Sequence, residues 1–147
     1  MKRTGRRSDC PVNFAVQTFG DGWSLLVIRD LMFTDRATYT GFLAAEERIA
    51  TNVLADRLRH LQKAGLIRQR TSGGVAGYGL TEKGLDLLPM MLEMIRWSAS
   101  FDDRTAAPPG FVNRIRKDRE QLTAELQQEL RRRHGLSENP PARRRSR

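Results

Sequence analysis

The stretch RIATNVLADRLRHLQKAG, residues 48–65, has the pattern of a helix with one buried face and one exposed face. On a helix with about 3.6 residues per turn, Leu54, Leu58 and Leu61 form one narrow apolar stripe. The side chains on roughly the opposite face are polar: Asn52, Asp56, Arg59 and Lys63. Gly65 can adopt the left-handed conformation that commonly ends a helix, so the helix is expected to stop there.

A β-hairpin is predicted directly after this helix. Its first strand is Leu66–Arg70, its turn is Ser72-Gly73-Gly74 and its second strand is Tyr78–Leu80. A two-faced helix followed by a hairpin is the element order of a winged helix-turn-helix, in which the helix enters the DNA major groove and the hairpin contacts the flanking backbone. The fold class predicted from this order is mainly α with a small β-hairpin.

The remaining apolar segments predict further helices. Val12–Phe19 forms a short helix, Trp23–Met32 is apolar nearly all round and is expected in the core, and Tyr39–Glu46 precedes the two-faced helix. The next helix runs from Thr81 to Phe101, and Pro89 should disturb its first turns because its ring removes a hydrogen bond. The predicted organisation is a basic disordered tail at 1–9, a winged helix-turn-helix domain at 10–101, a Pro/Gly linker at 102–110, an amphipathic helix at 111–134 and a basic disordered tail at 135–147.

The composition argues against several classes of protein. A chain of 147 residues suits one domain with extensions. Its apolar runs are too short to span a membrane and its basic N-terminus lacks the apolar segment of a signal peptide, so a cytoplasmic protein without a membrane partner is expected. Cys10 is the only cysteine, which excludes an internal disulfide and fits a reducing compartment.

No sequence pattern for catalysis or metal binding is present. His60 and His134 lie far apart along the chain and lack neighbouring clusters of carboxylates or thiolates. A glycine-rich phosphate loop and a nucleophile elbow are also absent. We therefore expect no enzymatic activity, no metal and no cofactor.

The net charge of +9 is concentrated in the extensions. Residues 1–9 contribute +3, residues 10–101 contribute +1 and residues 102–147 contribute +5, so the predicted globular part is nearly neutral. In one interpretation such charge runs are solvated tails. In the other they add salt-sensitive contacts to phosphates that do not depend on the base sequence.

Five short blocks of the sequence form a recognisable pattern through their order and spacing along the chain. They are CPV at 10–12, GDGWSLLVIRDL at 20–31, the pair Tyr39 and Phe42, RIATNVLADRLRHLQKAGLI at 48–67, and YGLTEKG at 78–84 with the later Pro89. In order and spacing these blocks resemble the HxlR family of bacterial winged helix-turn-helix regulators, which is more distantly related to MarR-type repressors. The resemblance covers Cys10 to about Phe101. It implies a homodimer formed through N- and C-terminal dimerisation helices, which binds a two-fold operator in double-stranded DNA and regulates nearby genes.

The sequence departs from the family pattern in a few places. The loop at 34–38 is one residue longer, Ala50 stands where a Ser commonly opens the recognition helix, and the wing TSGGVAGYG at 71–79 has no charge at its tip. Ala50 loses an N-cap hydroxyl or a phosphate contact. Phosphate contacts of the wing are therefore expected from Arg68, Arg70 or backbone N–H groups.

The residues expected to contact DNA lie mostly on the exposed face of the two-faced helix. Thr51 and Asn52 stand at the helix N-terminus, where an Asn amide can pair with adenine, and the alternative for both is a solvated surface. Asp56 can accept a hydrogen bond from a cytosine amino group or repel phosphate. Arg57 and Arg59 are predicted phosphate ligands, with a structural role beside the apolar stripe as the alternative for Arg57. Further phosphate candidates are Arg36, Arg48, Arg68 and Arg70.

The apolar surface of the C-terminal helices is broader than one small domain needs, so part of it is expected to face a second subunit. The predicted dimer interface consists of Leu88, Leu92, Ile95, Ile115, Leu122 and Leu126. A second set either lines a pocket for a small-molecule effector or packs in the core, and it consists of Trp23, Met91, Met94, Trp97 and Phe101. For Cys10 the resemblance implies a sensor of electrophiles or oxidants, and the alternative is a small packed residue near the dimer interface.

Together these patterns predict a homodimeric, sequence-specific DNA-binding transcriptional regulator, a repressor rather than an activator, relieved by a small-molecule or redox signal. Two alternatives stay open. A winged-helix module for protein–protein interaction would leave no footprint on DNA. A non-specific nucleic-acid binder would depend on its basic tails and not on the base sequence.

Overall fold

The computed structural model describes residues 5–140. The chain divides into two compact units at the boundary between Leu80 and Thr81, inside the segment 10–101 that the sequence suggests as one domain. Residues 1–4 and 141–147, which belong to the predicted tails at 1–9 and 135–147, lie outside the described residues. No helix in the described part of the chain is long and apolar enough to cross a membrane.

The first unit contains the predicted helix-turn-helix and its hairpin. Its elements are α1 (Pro11–Phe19), α2 (Ser24–Phe33), α3 (Tyr39–Leu43), α4 (Thr51–Lys63), β1 (Ile67–Ser72) and β2 (Val75–Leu80). The predicted apolar stripe of Leu54, Leu58 and Leu61 is buried, and so are most apolar side chains of α2. The fold is therefore mainly α with a small β-hairpin, in the order of a winged helix-turn-helix.

The connection between α3 and α4, residues 44–50, is longer than the sequence suggests. Thr38 caps α3 by accepting a hydrogen bond from the Gly41 N–H at 3.0 Å. The helix then ends at Leu43, before the predicted end at Glu46, because the chain turns there to reach α4. Arg48 completes the turn with φ 54°, a left-handed conformation that is uncommon for a residue with a side chain.

The hairpin is longer than predicted and is attached to the loop before α3. The strands pair in antiparallel register from Ile67 opposite Leu80 to Ser72 opposite Val75. The Tyr78 N–H donates a hydrogen bond to the Ala37 carbonyl oxygen at 2.7 Å, which fixes β2 against that loop. A Cβ added to Gly77 would lie 2.5 Å from the same oxygen, so only glycine allows this approach.

The second unit is entirely helical among its described residues. Its elements are α5 (Glu82–Leu85), α6 (Leu88–Phe101), α7 (Pro109–Lys117) and α8 (Arg119–His134). The predicted helix from Thr81 to Phe101 is interrupted at Asp86-Leu87, and Pro89 lies in the first turn of α6, where its missing N–H costs no intrahelical bond. The predicted single helix at 111–134 is two helices, because Asp118 leaves the helical conformation with φ −142° and ψ 38°.

Most side chains of the predicted dimer interface are already covered within one chain. Of the six side chains proposed for it, four are almost fully buried: Leu88, Leu92, Ile115 and Leu122. Only Ile95 and Leu126 are partly exposed. The apolar periodicity identified residues that need covering, but the contacts of α6 with α7 and α8 show that much of this covering takes place within the second unit.

Candidate nucleic-acid interface

The first turn of α4 presents two polar side chains to solvent. Thr51 and Asn52 are both exposed, and Ala50 occupies the N-cap position with no side-chain hydrogen bond. The Tyr39 hydroxyl donates a hydrogen bond to the Thr51 carbonyl oxygen at 3.0 Å, so α3 fixes the position of this turn. The two positions predicted for base contacts therefore lie at the surface of a helix N-terminus, whose N–H groups favour anionic oxygens.

Asp56 and Arg59 are exposed one turn further along α4. Arg59 Nη2 lies 3.9 Å from Asp56 Oδ1, and the Arg59 side chain is 75% exposed. A hydrogen bond from Arg57 and the positive charges of Arg57 and Arg59 lower the pKa of Asp56, so its carboxylate is negative near neutral pH. Asp56 thus reduces the positive charge of this face, and a base contact would compete with its arginine partners.

Arg57 is engaged by two carboxylates of the protein itself. Its Nη2 lies 2.5 Å from Asp56 Oδ2, and its Nη1 lies 3.4 Å from Asp21 Oδ1 in the turn between α1 and α2. The hydrogen bond with Asp56 is the main cause that raises the pKa of the guanidinium. These contacts favour the structural interpretation of Arg57 over that of a phosphate ligand.

A network of charged side chains joins α2 to the loop before α3 and to the connection before α4. The Asp30 side chain is only 3% exposed, and its Oδ1 lies 2.9 Å from Arg29 Nη2 and 3.5 Å from Arg36 Nη1. Arg29 Nη2 also donates to Glu47 Oε2 at 3.1 Å, just before the left-handed Arg48. This hydrogen bond raises the pKa of Arg29 and lowers that of Glu47. A buried carboxylate needs such partners, because an unpaired charge in the interior is costly.

Sequence reasoning missed Arg29, Asp30 and Glu47 as parts of this network. The one available signal was an acidic residue within the apolar segment Trp23–Met32. The network also changes the interpretation of Arg36, because a phosphate contact by Arg36 would draw its guanidinium away from Asp30.

The wing supplies two of the predicted phosphate ligands. Arg68 and Arg70 are two residues apart on β1, opposite Gly79 and Gly77, so they share one face of the hairpin. Arg68 is exposed and Arg70 is partly exposed. Arg70 also borders a surface groove of about 290 Å³, whose lining is Tyr39, Gln69, Arg70, Thr71, Ala76, Gly77 and Tyr78.

The residues predicted for an effector pocket are divided between the two units. Trp23 lines a space of about 20 Å³ in the first unit, which is room for about one water molecule. In the second unit Met91 is buried, whereas Met94, Trp97 and Phe101 are exposed on α6. Met91 therefore packs in the core, whereas the exposure of Met94, Trp97 and Phe101 does not fit core packing within one chain.

Cys10 lies immediately before α1 and is exposed within a single chain. Its carbonyl oxygen accepts a hydrogen bond from the Phe14 N–H at 3.0 Å, which begins the helix. Among residues 5–140 no group of His, Cys, Asp and Glu side chains has the arrangement of a metal site.

Comparison with known sequences agrees with this geometry. The profile of the HxlR-like helix-turn-helix family matches residues 18–106. The uncharacterized HTH-type transcriptional regulator Rv3095 of Mycobacterium tuberculosis is 31% identical to this chain over 101 residues, which are 67% of this chain and 63% of that protein. The match therefore spans less than two thirds of the length of that relative.

Solved structures show the same fold. PA1607, proposed to be a transcription factor, has 31% sequence identity and a TM-score of 0.60, with 73% of each chain covered. The quinone-bound YodB from B. subtilis has 28% identity and a TM-score of 0.53, with 63% of this chain and 99% of that chain covered. The segment that the family profile matches contains the helix-turn-helix and the wing, and the chain belongs to the HxlR-like helix-turn-helix family.

Proposed function

We propose that this protein is a sequence-specific DNA-binding transcriptional regulator that acts as a homodimer on a two-fold operator and represses by occupying a promoter. The observation that carries the proposal is the exposed first turn of α4, with Thr51 and Asn52 at its surface. A recognition helix in this position reads base edges in the major groove, and an Asn amide pairs bidentately with adenine. The membership of the family and the names of its relatives support the same function.

Arginines around α4 would supply contacts to the DNA backbone. Arg59 on α4, Arg48 in the preceding turn and Arg68 on the wing are all exposed. Such side chains neutralise phosphates whatever the base sequence, and they fix the register of the protein on the duplex. Arg36 and Arg57 would reach phosphate only by giving up contacts with Asp30 or with Asp56 and Asp21, so their contribution is secondary.

Each unit exposes apolar side chains that a second copy of the chain would cover. α1 contains no buried residue, and Val12 and Val16, one turn apart, are exposed. On α6 the rings of Trp97 and Phe101 have centroids 5.5 Å apart and are 60% and 76% exposed. Large apolar side chains in contact with water favour association. The proposed dimer therefore forms through α1 and α6, and not through leucines that are already buried within one chain.

The dimer geometry gives the proposed mechanism. Two α4 helices related by a two-fold axis enter successive major grooves, which lie about 34 Å apart. A signal that changes this separation weakens binding, because the two half-sites can no longer be contacted at once. Occupation of a promoter by the dimer blocks transcription from it.

The signal is proposed to act at Cys10. YodB, similar to this chain in fold and sequence, binds a quinone. Cys10 is exposed and has no second cysteine within the chain, so a disulfide formed by an oxidant would join two subunits. Treatment with diamide should then convert the protein to a covalent dimer on a non-reducing gel and change its affinity for DNA. The Cys10→Ser variant should show neither effect.

The proposed function is tested by a footprint of the full chain on the DNA beside its own gene, with an unrelated duplex as competitor. The expected result is protection of a two-fold site that resists the competitor. A chain of residues 8–135 should protect the same site with a smaller dependence on salt. Absence of any footprint would favour a protein–protein module, and equal binding to both duplexes that disappears with the tails would favour non-specific binding.

A further inference from the structure

The recognition helix is attached to α1 by a hydrogen bond between distant parts of the chain. His60 Nε2 lies 2.6 Å from the Thr18 carbonyl oxygen. Because a carbonyl oxygen can only accept, Nε2 must carry the proton and donate. Thr18 lies in the last turn of α1, where carbonyl groups have no partner within the helix, so His60 supplies that partner from α4.

A second contact joins α4 to the turn that follows α1. Asp21 accepts hydrogen bonds from the N–H groups of Trp23 and Ser24, each at 3.0 Å, and therefore holds the start of α2. The same carboxylate lies 3.4 Å from Arg57 Nη1. Arg57 and His60 are three residues apart, so they project from one side of α4. That side adjoins the face that carries Asn52, Asp56 and Arg59, because Asp56 and His60 are four residues apart.

Because α1 buries no residue within one chain, its position relative to α4 depends on these two contacts. α1 has only nine residues and none is buried within one chain, and a helix of this length is marginal in water without tertiary contacts. Its exposed apolar side chains, Val12 and Val16, are the ones proposed above to be covered by a second copy. In the dimer α1 would then be held by the partner, and α4 would be held to α1 by His60 and to the turn after α1 by Arg57.

We propose that His60 and Arg57 are positioning residues, which set the orientation of the recognition helix relative to the dimer helix α1 and so determine the half-site spacing that the dimer accepts. The inference rests on the proposed function. It assigns these residues to discrimination between operator spacings and not to contact with DNA.

The test compares operators that differ only in spacing. The full chain is titrated against the footprinted operator and against versions with two base pairs inserted or removed between the half-sites. The variants are His60→Leu, which lacks a donor, and His60→Gln, whose amide can still donate to the Thr18 carbonyl. Partial unfolding would weaken binding to every operator equally and leave the ratio of affinities unchanged, so the ratio reports positioning alone.

We expect the wild-type preference for the native spacing to fall by roughly threefold to tenfold in His60→Leu, the size expected for one hydrogen bond, and to be retained in His60→Gln. Asp21→Asn removes the charge that faces Arg57 but keeps an oxygen for the α2 N–H groups, and it should lower the same ratio if His60→Leu fails to fold. An unchanged ratio in both His60→Leu and Asp21→Asn overturns the inference while the proposed function stands. A wild-type chain that protects no specific site overturns both.

Discussion

The Tyr39 hydroxyl donates a hydrogen bond to the carbonyl oxygen of Thr51, 3.0 Å away, and thereby connects the two helices of the helix-turn-helix. Thr51 is the first residue of α4, so this hydrogen bond acts where the recognition helix would meet DNA. The first turn of α4 has no side-chain cap of its own, because Ala50 precedes it. The position of the base-reading residues thus depends partly on a side chain of α3.

Replacement of Tyr39 by Phe should weaken operator binding without unfolding the protein. The variant keeps the ring and loses only the hydroxyl, so the expected loss of affinity is roughly twofold to tenfold, the effect of one hydrogen bond. Titration of the operator by fluorescence anisotropy measures it, with Tyr78→Phe as the control on the neighbouring wing. Equal affinities for wild type and Tyr39→Phe would show that the hydrogen bond does not position α4.

Gly77→Ala should destabilise the first unit. The added Cβ would lie 2.5 Å from the Ala37 carbonyl oxygen, so the hairpin must move away from the loop before α3. The expected loss is about 1–3 kcal/mol in the free energy of unfolding, measured by urea denaturation. Gly110→Ala is the matched control, because a Cβ there meets no atom within 4 Å and alanine favours the helix. A Gly77→Ala variant as stable as the wild type would contradict the close approach.

Trp97→Ser together with Phe101→Ser should weaken dimerisation and leave the fold intact. Both rings are largely exposed in one chain, so their loss removes little from the core. Sedimentation at several protein concentrations should show more monomer than in the wild type. Leu92→Ala provides the contrast, because Leu92 is fully buried and its truncation should cost about 2–5 kcal/mol of unfolding free energy. An unchanged monomer–dimer equilibrium in the double variant would exclude this face of α6 from the interface.

The ion pairs of Glu93 make part of the stability depend on pH. Hydrogen bonds from Arg96 and Arg119 lower the pKa of Glu93 from 4.5 to about 2. Because the folded-state pKa lies below the unfolded value, the contribution of Glu93 is present above pH 4.5 and is lost as the pH falls toward 2. Unfolding by urea between pH 5 and pH 2 should show a steeper loss of stability for the wild type than for Glu93→Gln. Parallel curves would mean that the ion pairs do not persist in solution.

The sequence predicted those parts of the fold that depend on local patterns. The spacing of Leu54, Leu58 and Leu61 was enough to place α4 and its buried face, and Gly73 and Gly74 marked the turn of the wing with φ of 58° and 78°. These features follow from helical periodicity and from the conformational freedom of glycine, which act over a few residues. The exposure of Asn52 followed from the same periodicity, whereas Thr51 was selected for its place at the helix N-terminus.

Long-range pairings were not predictable in this way. Nothing near Asp30 in the sequence indicates that Glu47 reaches the arginine beside it, and nothing near Arg57 indicates Asp21. Four of the six side chains predicted for a dimer interface are instead buried within one chain, for a related reason. Periodicity shows that Leu88 and Leu92 must be covered, but it does not show whether the cover is another segment of the chain or a second subunit.

The most direct test of the central claim is the affinity of the Asn52→Ala variant for the footprinted operator relative to an unrelated duplex. The account predicts that this ratio falls by roughly five- to a hundredfold, as for the loss of one bidentate base contact, while binding to the unrelated duplex is unchanged. Gln128→Ala, on the exposed side of α8, should leave both affinities unchanged. A ratio for Asn52→Ala equal to that of the wild type would contradict the assignment of α4 as the helix that reads DNA.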